Sequence, residues 1–204
     1  MKIGIDLDNT IVCYDGVFAY VAQKEGYNCD GHKTKKDLKK WFHDKKMHNA
    51  FTEIQGLVYG NYINQAVLFD GVKSCFKTWR TDKHLLYIVS HKTKYPVIGG
   101  KTDLRKAATE YLYNSSILSQ DIVPISNLFF EDTAASKIAR VSSLKLDLFI
   151  DDLPSILKDG AFPASTRKIL FDPLRKSHGS HYDFIASNWS EIAQFIQKKP
   201  KLST

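Results

Sequence analysis

Lys2-Ile3-Gly4-Ile5-Asp6-Leu7-Asp8-Asn9-Thr10 runs from an apolar segment straight into two aspartates and two turn-forming residues. A run this short, closed by Asn and Thr, predicts a buried strand that meets a loop. Segments 85–89, 127–130, 146–150 and 168–171 repeat the pattern, and each stops at a polar residue: Ser90, Glu131, Asp151 and Asp172. Helical spacing fills the gaps. Val72, Cys75, Phe76 and Trp79 share one helix face, and 102–113, 134–144 and 189–198 read the same way, the last behind Ser187-Asn188 as N-cap. Alternating strands and helices predict an α/β fold, a doubly wound parallel sheet in a three-layer α/β/α arrangement. Ligands of such sheets bind at the carboxyl ends of the strands, where these polar residues fall.

Residues 15–67 break the alternation. They hold Val17, Tyr20 and Val21 at helical spacing, a lysine-rich patch, then Phe51, Ile54, Leu57 and Val58. We read them as a small helical cap inserted after the first strand, leaving 1–14 and 68–204 for the sheet domain. Trp41, Phe42 and Phe51 are expected in the cap core. Lys33, Lys35, Lys36, Lys39 and Lys40 are diluted by Asp37 and Asp44 and read as a solvated helix face. Residues 198–204 read as a frayed basic tail.

Composition narrows the function. With 204 residues, 43% of them hydrophobic and 25% charged, the chain is ordinary globular stock. Its three cysteines, Cys13, Cys29 and Cys75, are an odd number at unrelated spacings, which argues against a disulfide framework or a zinc cluster. No apolar run reaches the roughly 20 residues of a membrane span, and Asp6 comes too early for a signal-peptide core. A cytoplasmic, reducing setting is expected. The net charge of +7 suggests an anionic partner. Segment 73–106 alone holds nine basic and two acidic residues, and it includes Ser90-His91-Lys92-Thr93-Lys94 at the mouth of the expected site. That concentration points to a small anionic substrate more than to nucleic acid.

Asp6 and Asp8 lie on one side of an extended strand at its end. Close carboxylates repel unless a cation lies between them, and short, stiff oxygen donors suit Mg²⁺. A simple turn is the competing reading. Asp151-Asp152, behind Leu148-Phe149-Ile150, is a second costly acidic pair at a strand end. Its competing reading is a helix N-cap ahead of Pro154.

With these residues in view, the chain resembles the haloacid dehalogenase (HAD) superfamily, most of whose members are Mg²⁺-dependent phosphohydrolases. Four motifs occur in order: Asp6-x-Asp8-x-Thr10, Ile88-Val89-Ser90, Lys137 within Ala134-Ala135-Ser136-Lys137-Ile138-Ala139, and Phe149-Ile150-Asp151-Asp152. Asp70-Gly71-Val72 is similar to the turn that re-enters the core after an inserted cap. The Asp-Asp form of the last motif looks most like the 5′-nucleotidase-like members. Lys92 and Lys101 compete with Lys137 for its role.

The resemblance implies a HAD-like sheet with its cap and a covalent mechanism. Asp6 would attack phosphorus, and Asp8 would serve as acid and then base. Mg²⁺ would be held by Asp6, the Asp8 carbonyl, Asp151 and Asp152, with Asp152 favoured as the direct ligand. Ser90, Lys137, Asn9, His91 and Lys92 would receive the phosphate. Thr10 reads as a loop hydrogen bond rather than chemistry. The implied substrate is a small phosphorylated metabolite, a nucleotide or sugar phosphate. Alternatives are a phosphatase of nucleic-acid ends, a phosphomutase, or a catalytically silent binding protein of the same fold.

Overall fold

The computed structural model describes residues 1–29, 31–32 and 34–197. Lys33 of the lysine patch and the tail at 198–204 lie outside the described residues. In chain order the elements are β1 (Lys2–Ile5), β2 (Val12–Cys13), α1 (Val17–Lys24), α2 (Lys35–Asp44), α3 (His48–Tyr59), β3 (Val67–Leu68), α4 (Val72–Thr81), β4 (Leu85–His91), α5 (Leu104–Asn114), β5 (Leu128–Glu131), α6 (Ala134–Leu144), β6 (Leu148–Asp151), α7 (Pro154–Leu157), β7 (Arg167–Phe171), β8 (Phe184–Ala186) and α8 (Trp189–Gln197).

Six strands form one sheet in the order β5-β4-β1-β6-β7-β8. Every pairing in it is parallel. The inner strands are apolar on both faces because helices cover both. Ile5, Ile88 and Ile150 point into a cluster with Phe76 of α4, Leu112 of α5 and Trp189 of α8. Val89, Phe149 and Leu170 point the other way, toward Ile138 of α6 and Leu157 of α7. Gly4 lies on that second face, where a Cβ would stand 2.7 Å from Phe149 Cδ2. Leu146 Cδ1 would stand closer still, so the fit of Leu146 and Phe149 over β1 requires glycine there.

The α/β expectation holds, strand for strand, through β1, β4, β5, β6 and β7. Three short strands escaped it. β8, three residues long, closes one edge of the sheet. β2 and β3, two residues each, pair antiparallel, Val12 with Leu68 and Cys13 with Val67. The chain thus leaves the sheet and returns to it through one narrow ribbon, with α1, α2 and α3 between the two crossings. Return to the sheet domain is made at Gly71, whose backbone is left-handed at φ 89° as the N-cap of α4.

Phe42 and Phe51 are buried beside Phe18 and Val21 in the helical segment, as expected. Trp41 is half-buried, edge-on to Phe42 at 4.8 Å. Asn188 caps α8 by accepting from Glu191 N at 2.9 Å. Cys13, Cys29 and Cys75 form no disulfide among the described residues. No helix among those residues is long and apolar enough to cross a membrane.

Candidate active site

Sheet order and register assemble the site. β1 lies between β4 and β6, with Ile5 paired to Ile88 on one side and Ile150 on the other. The next residues on the three strands are Asp6, Val89-Ser90 and Asp151-Asp152, so groups far apart in sequence meet at one edge of the sheet. Asp6 N donates to Ile150 O at 2.9 Å, which fixes the Asp6 backbone against β6. The chain then wraps tightly: Ile11 N and Val12 N both donate to Leu7 O at 3.0 Å, and Asn9 N donates to Val12 O at 2.8 Å. Asn9 makes the bend in the left-handed region, at φ 61°. Thr10 is buried and its Oγ1 lies 3.4 Å from Asp6 Oδ2, the structural task read for it from sequence.

Asp6, Asp151 and Asp152 bring carboxylate oxygens within 4.8 Å of one another. Lys137, fully buried, sits against two of them: its Nζ is 2.5 Å from Asp6 Oδ1 and 2.6 Å from Asp151 Oδ2. It reaches there from the second turn of α6, whose start is held by a reciprocal cap between Thr133 and Ser136. Burial works against the Lys137 ammonium, but Asp151 and Asp6 outweigh it and hold the group above its ordinary 10.5. Burial pushes Asp6 up to about 7 in the cation-free site; Lys137 opposes this, and Asp151 and Asp8 add to it. Burial, with Asp6 and Asp151 beside it, also raises Asp152 well above 3.8. The donors of this cluster are hard oxygens of the kind a divalent cation such as Mg²⁺ takes.

The two last-motif aspartates differ. Asp151 accepts from Lys137 with one oxygen and from Leu153 N, at 2.8 Å, with the other. Asp152 is the one that lines the open cavity.

Asp8 belongs to a separate constellation. Lys92 Nζ lies 2.8 Å from Asp8 Oδ2, and Tyr14 Oη donates to Asp8 Oδ1 at 2.6 Å. Burial alone would raise the Asp8 carboxyl, but the Lys92 ammonium, the hydrogen bonds from Lys92 and Tyr14, and Lys35 further off bring it below 3.8. Lys92 is itself 3% exposed, and its backbone is pinned by Glu131 O and by Arg105 Nε. Its ammonium is paired with Asp8 and lines the cavity. Of the three lysines considered for the phosphate position, Lys137 is the one against Asp6, whereas Lys101 is exposed.

Ser90, the penultimate residue of β4, has its Oγ buried and without a hydrogen-bond partner among the described residues. His91 and Asn9 stand at the cavity rim, with His91 Nε2 3.0 Å from Asp132 O. Of the other polar strand ends, Glu131 pairs with Arg140 at 2.7 Å and Asp172 accepts from Ser177 N at 2.6 Å, so neither joins the site.

The cavity over these groups measures about 270 Å³. The helical segment closes one side of it with Lys35, Thr52, Gln55 and Tyr59, and the loop after β4 closes another with Thr93, Pro96 and Val97. Lys35 thus faces the cavity in part, contrary to the solvated face read for its patch. Tyr14 and Tyr59 went unnoticed in the sequence. Tyr14 sits one residue past β2 and could have been flagged only by its nearness to Asp8.

No protein-family model and no curated protein sequence matches this chain. Solved structures do. A HAD-superfamily hydrolase from Ehrlichia chaffeensis matches at 16% identity and TM-score 0.56, over 96% of this chain and 95% of that one. YfnB, a HAD-hydrolase from Bacillus subtilis bound to magnesium, matches at 11% identity and TM-score 0.63, over 96% and 98%. CbbY from Rhodobacter sphaeroides, in complex with phosphate, matches at 12% identity and TM-score 0.55, over 94% and 95%. Near-complete coverage in both directions extends the likeness to the helical segment as well as the sheet. In fold, this chain is similar to HAD-superfamily hydrolases.

Proposed function

We propose that the protein is a Mg²⁺-dependent phosphohydrolase that releases phosphate from a small phosphorylated metabolite through an aspartyl-phosphate on Asp6. The observation that carries this reading is the meeting of Asp6, Asp151 and Asp152 with the Lys137 ammonium at adjacent strand ends. YfnB bound to magnesium and CbbY in complex with phosphate support the choice of ion and ligand by analogy.

Asp6 and Asp152, with the Asp8 carbonyl, would hold the ion, and Asp151, whose oxygens are already engaged, would orient Lys137. Bound Mg²⁺ supplies positive charge that offsets repulsion between Asp6 and the incoming phosphate. An Asp6 oxygen attacks phosphorus and the bond to the leaving oxygen breaks, while Asp8 gives that oxygen a proton. Asp8 rests as a carboxylate, but a phosphate dianion arriving beside it and competing for Lys92 raises its affinity for a proton. Asp8 then takes a proton from water as the water oxygen attacks the aspartyl-phosphate. Inorganic phosphate leaves and Asp6 returns to a carboxylate. The Ser90 hydroxyl and the Lys137 ammonium, with Asn9 and His91 at the rim, receive the phosphoryl oxygens.

We assign 15–67 as the cap and 1–14 with 68–204 as the core, the β2–β3 ribbon marking the border. A cavity of about 270 Å³ lies at the small end for ligand sites and argues against nucleic-acid ends. The Asp-Asp motif keeps nucleotides among the candidates beside sugar phosphates, and a cytoplasmic setting suits the thiols. The test is phosphate release from p-nitrophenyl phosphate with Mg²⁺, for wild type and Asp6→Asn. Release that Asp6→Asn and chelator both abolish supports the reading. No release by wild type, or release that survives Asp6→Asn, overturns it.

A further inference from the structure

Three lysines reach the cavity, and two have carboxylate partners there. Lys137 bridges Asp6 and Asp151, and Lys92 pairs with Asp8. Lys35 has no carboxylate within 4.0 Å among the described residues. Its Nζ instead donates to Tyr59 Oη at 2.6 Å and stands 5.3 Å from the Tyr59 ring centre and 5.9 Å from that of Phe18. The other cation on the Tyr59 ring is Lys92, at 4.3 Å.

This is an awkward place for an unpaired ammonium. Lys35 is the first residue of α2, where the helix dipole disfavours a cation. It is half-buried, and Thr34, which accepts from Asp37 N, fixes the turn that carries it. Local physics alone would send this side chain to solvent, as the sequence reading expected. A phenol and a ring face offset part of the desolvation but supply no counter-charge. Lys35 still has donors left beyond the one given to Tyr59. Beside it the cap presents Thr52 and Gln55, polar and uncharged.

Phosphate itself is assigned above to Asp6, Ser90 and Lys137, which leaves Lys35, bonded to Tyr59 on the cap side, for the rest of the substrate. We propose that Lys35 binds a carboxylate on the leaving group, so that the substrate class is a small phosphorylated acid; this rests on the phosphohydrolase reading above and narrows it. A second phosphate would ask more room of a cavity of about 270 Å³ than a carboxylate does.

The test uses two esters that differ by a carboxylate in place of a hydroxymethyl group, 3-phosphoglycerate and glycerol 3-phosphate. Their binding is measured by calorimetry with Mg²⁺ in the Asp6→Asn protein, where turnover does not interfere. A charge-assisted hydrogen bond predicts at least about tenfold tighter binding of 3-phosphoglycerate. Adding Lys35→Met or Lys35→Gln brings the ratio to within about twofold, and Lys35→Arg keeps most of it. Equal affinities before Lys35 is changed, or no detectable binding of 3-phosphoglycerate, overturns the proposal. So does equal weakening of both esters by Lys35→Met and Lys35→Gln, which would put Lys35 on the phosphoryl group. Failure of wild type to hydrolyse p-nitrophenyl phosphate counts separately, against the hydrolase reading, because the binding ratio does not depend on turnover.

Discussion

Replacing Lys137 with Met keeps most of the side-chain volume and removes one buried positive charge. Asp6 and Asp151 lose the ammonium that lies 2.5 and 2.6 Å from them, and Asp152 is left beside two unpaired carboxylates. Breaking a buried ion pair by removing one partner costs about 3–5 kcal/mol. For a protein of this size that is about 6–20 °C in melting temperature. The assay is thermal and urea unfolding in chelator at pH 8, wild type against Lys137→Met. At pH 5 the difference shrinks. Asp6 already titrates at about 7 with the lysine present, rises further without it, and is protonated at pH 5, so one of the two orphaned charges disappears. Saturating Mg²⁺ at pH 8 recovers more stability in the variant than in wild type, because the ion supplies the charge the lysine gave. A loss below about 1 kcal/mol at pH 8, or the same loss at both pH values, would refute the buried-charge argument.

Asp6 should make the cation-free protein sensitive to pH. Its value in the fold, about 7, lies above the ordinary 3.8, so its contribution to stability is complete below 3.8 and is lost as pH climbs through about 7. Melting curves in chelator should show that decline in wild type and lack it in Asp6→Asn. Tyr14→Phe removes a hydrogen bond of 2.6 Å that holds Asp8 as a carboxylate, so the limb of the kcat/KM pH profile governed by Asp8 should move to higher pH. Gly4→Ala places a methyl 2.7 Å from Phe149 in a packed layer and should cost about 1–3 kcal/mol by urea unfolding, with little change in KM for p-nitrophenyl phosphate.

The sheet was readable because its inner strands are buried on both faces and so appear as unbroken apolar runs. β8 is a three-residue edge strand and offered no such run. β2 and β3 are two residues each and owe their pairing to the chain crossing itself rather than to any pattern. In the site, Asp6, Asp8, Asp151 and Asp152 announced themselves because charge at a buried strand end is costly. Lys137 could be nominated from sequence, but three lysines were open until α6 placed its side chain between Asp6 and Asp151. Tyr14, Tyr59 and the inward turn of Lys35 were hidden for a different reason. An aromatic or a lysine on an amphipathic helix is ordinary, and only the packing of that helix over the sheet gives it a direction.

β1 has a further consequence, in time rather than in space. It is the first strand to be synthesised, yet its partners are β4 and β6, and Ile5 meets Ile150 only when the chain has grown past that residue. At roughly 5–20 residues per second, Ile5 waits about 7–30 s for Ile150. The helices between β2 and β3 pack on one another and need no such delay, since their contacts are near in sequence. The emerging chain therefore exposes Ile3 and Ile5 behind an already condensable helical unit. The carboxylates of Asp6, Asp151 and Asp152 come together only when β6 joins β1, with β7 and β8 still to be added at the edge, so on the phosphohydrolase reading a cation could be held only late in folding.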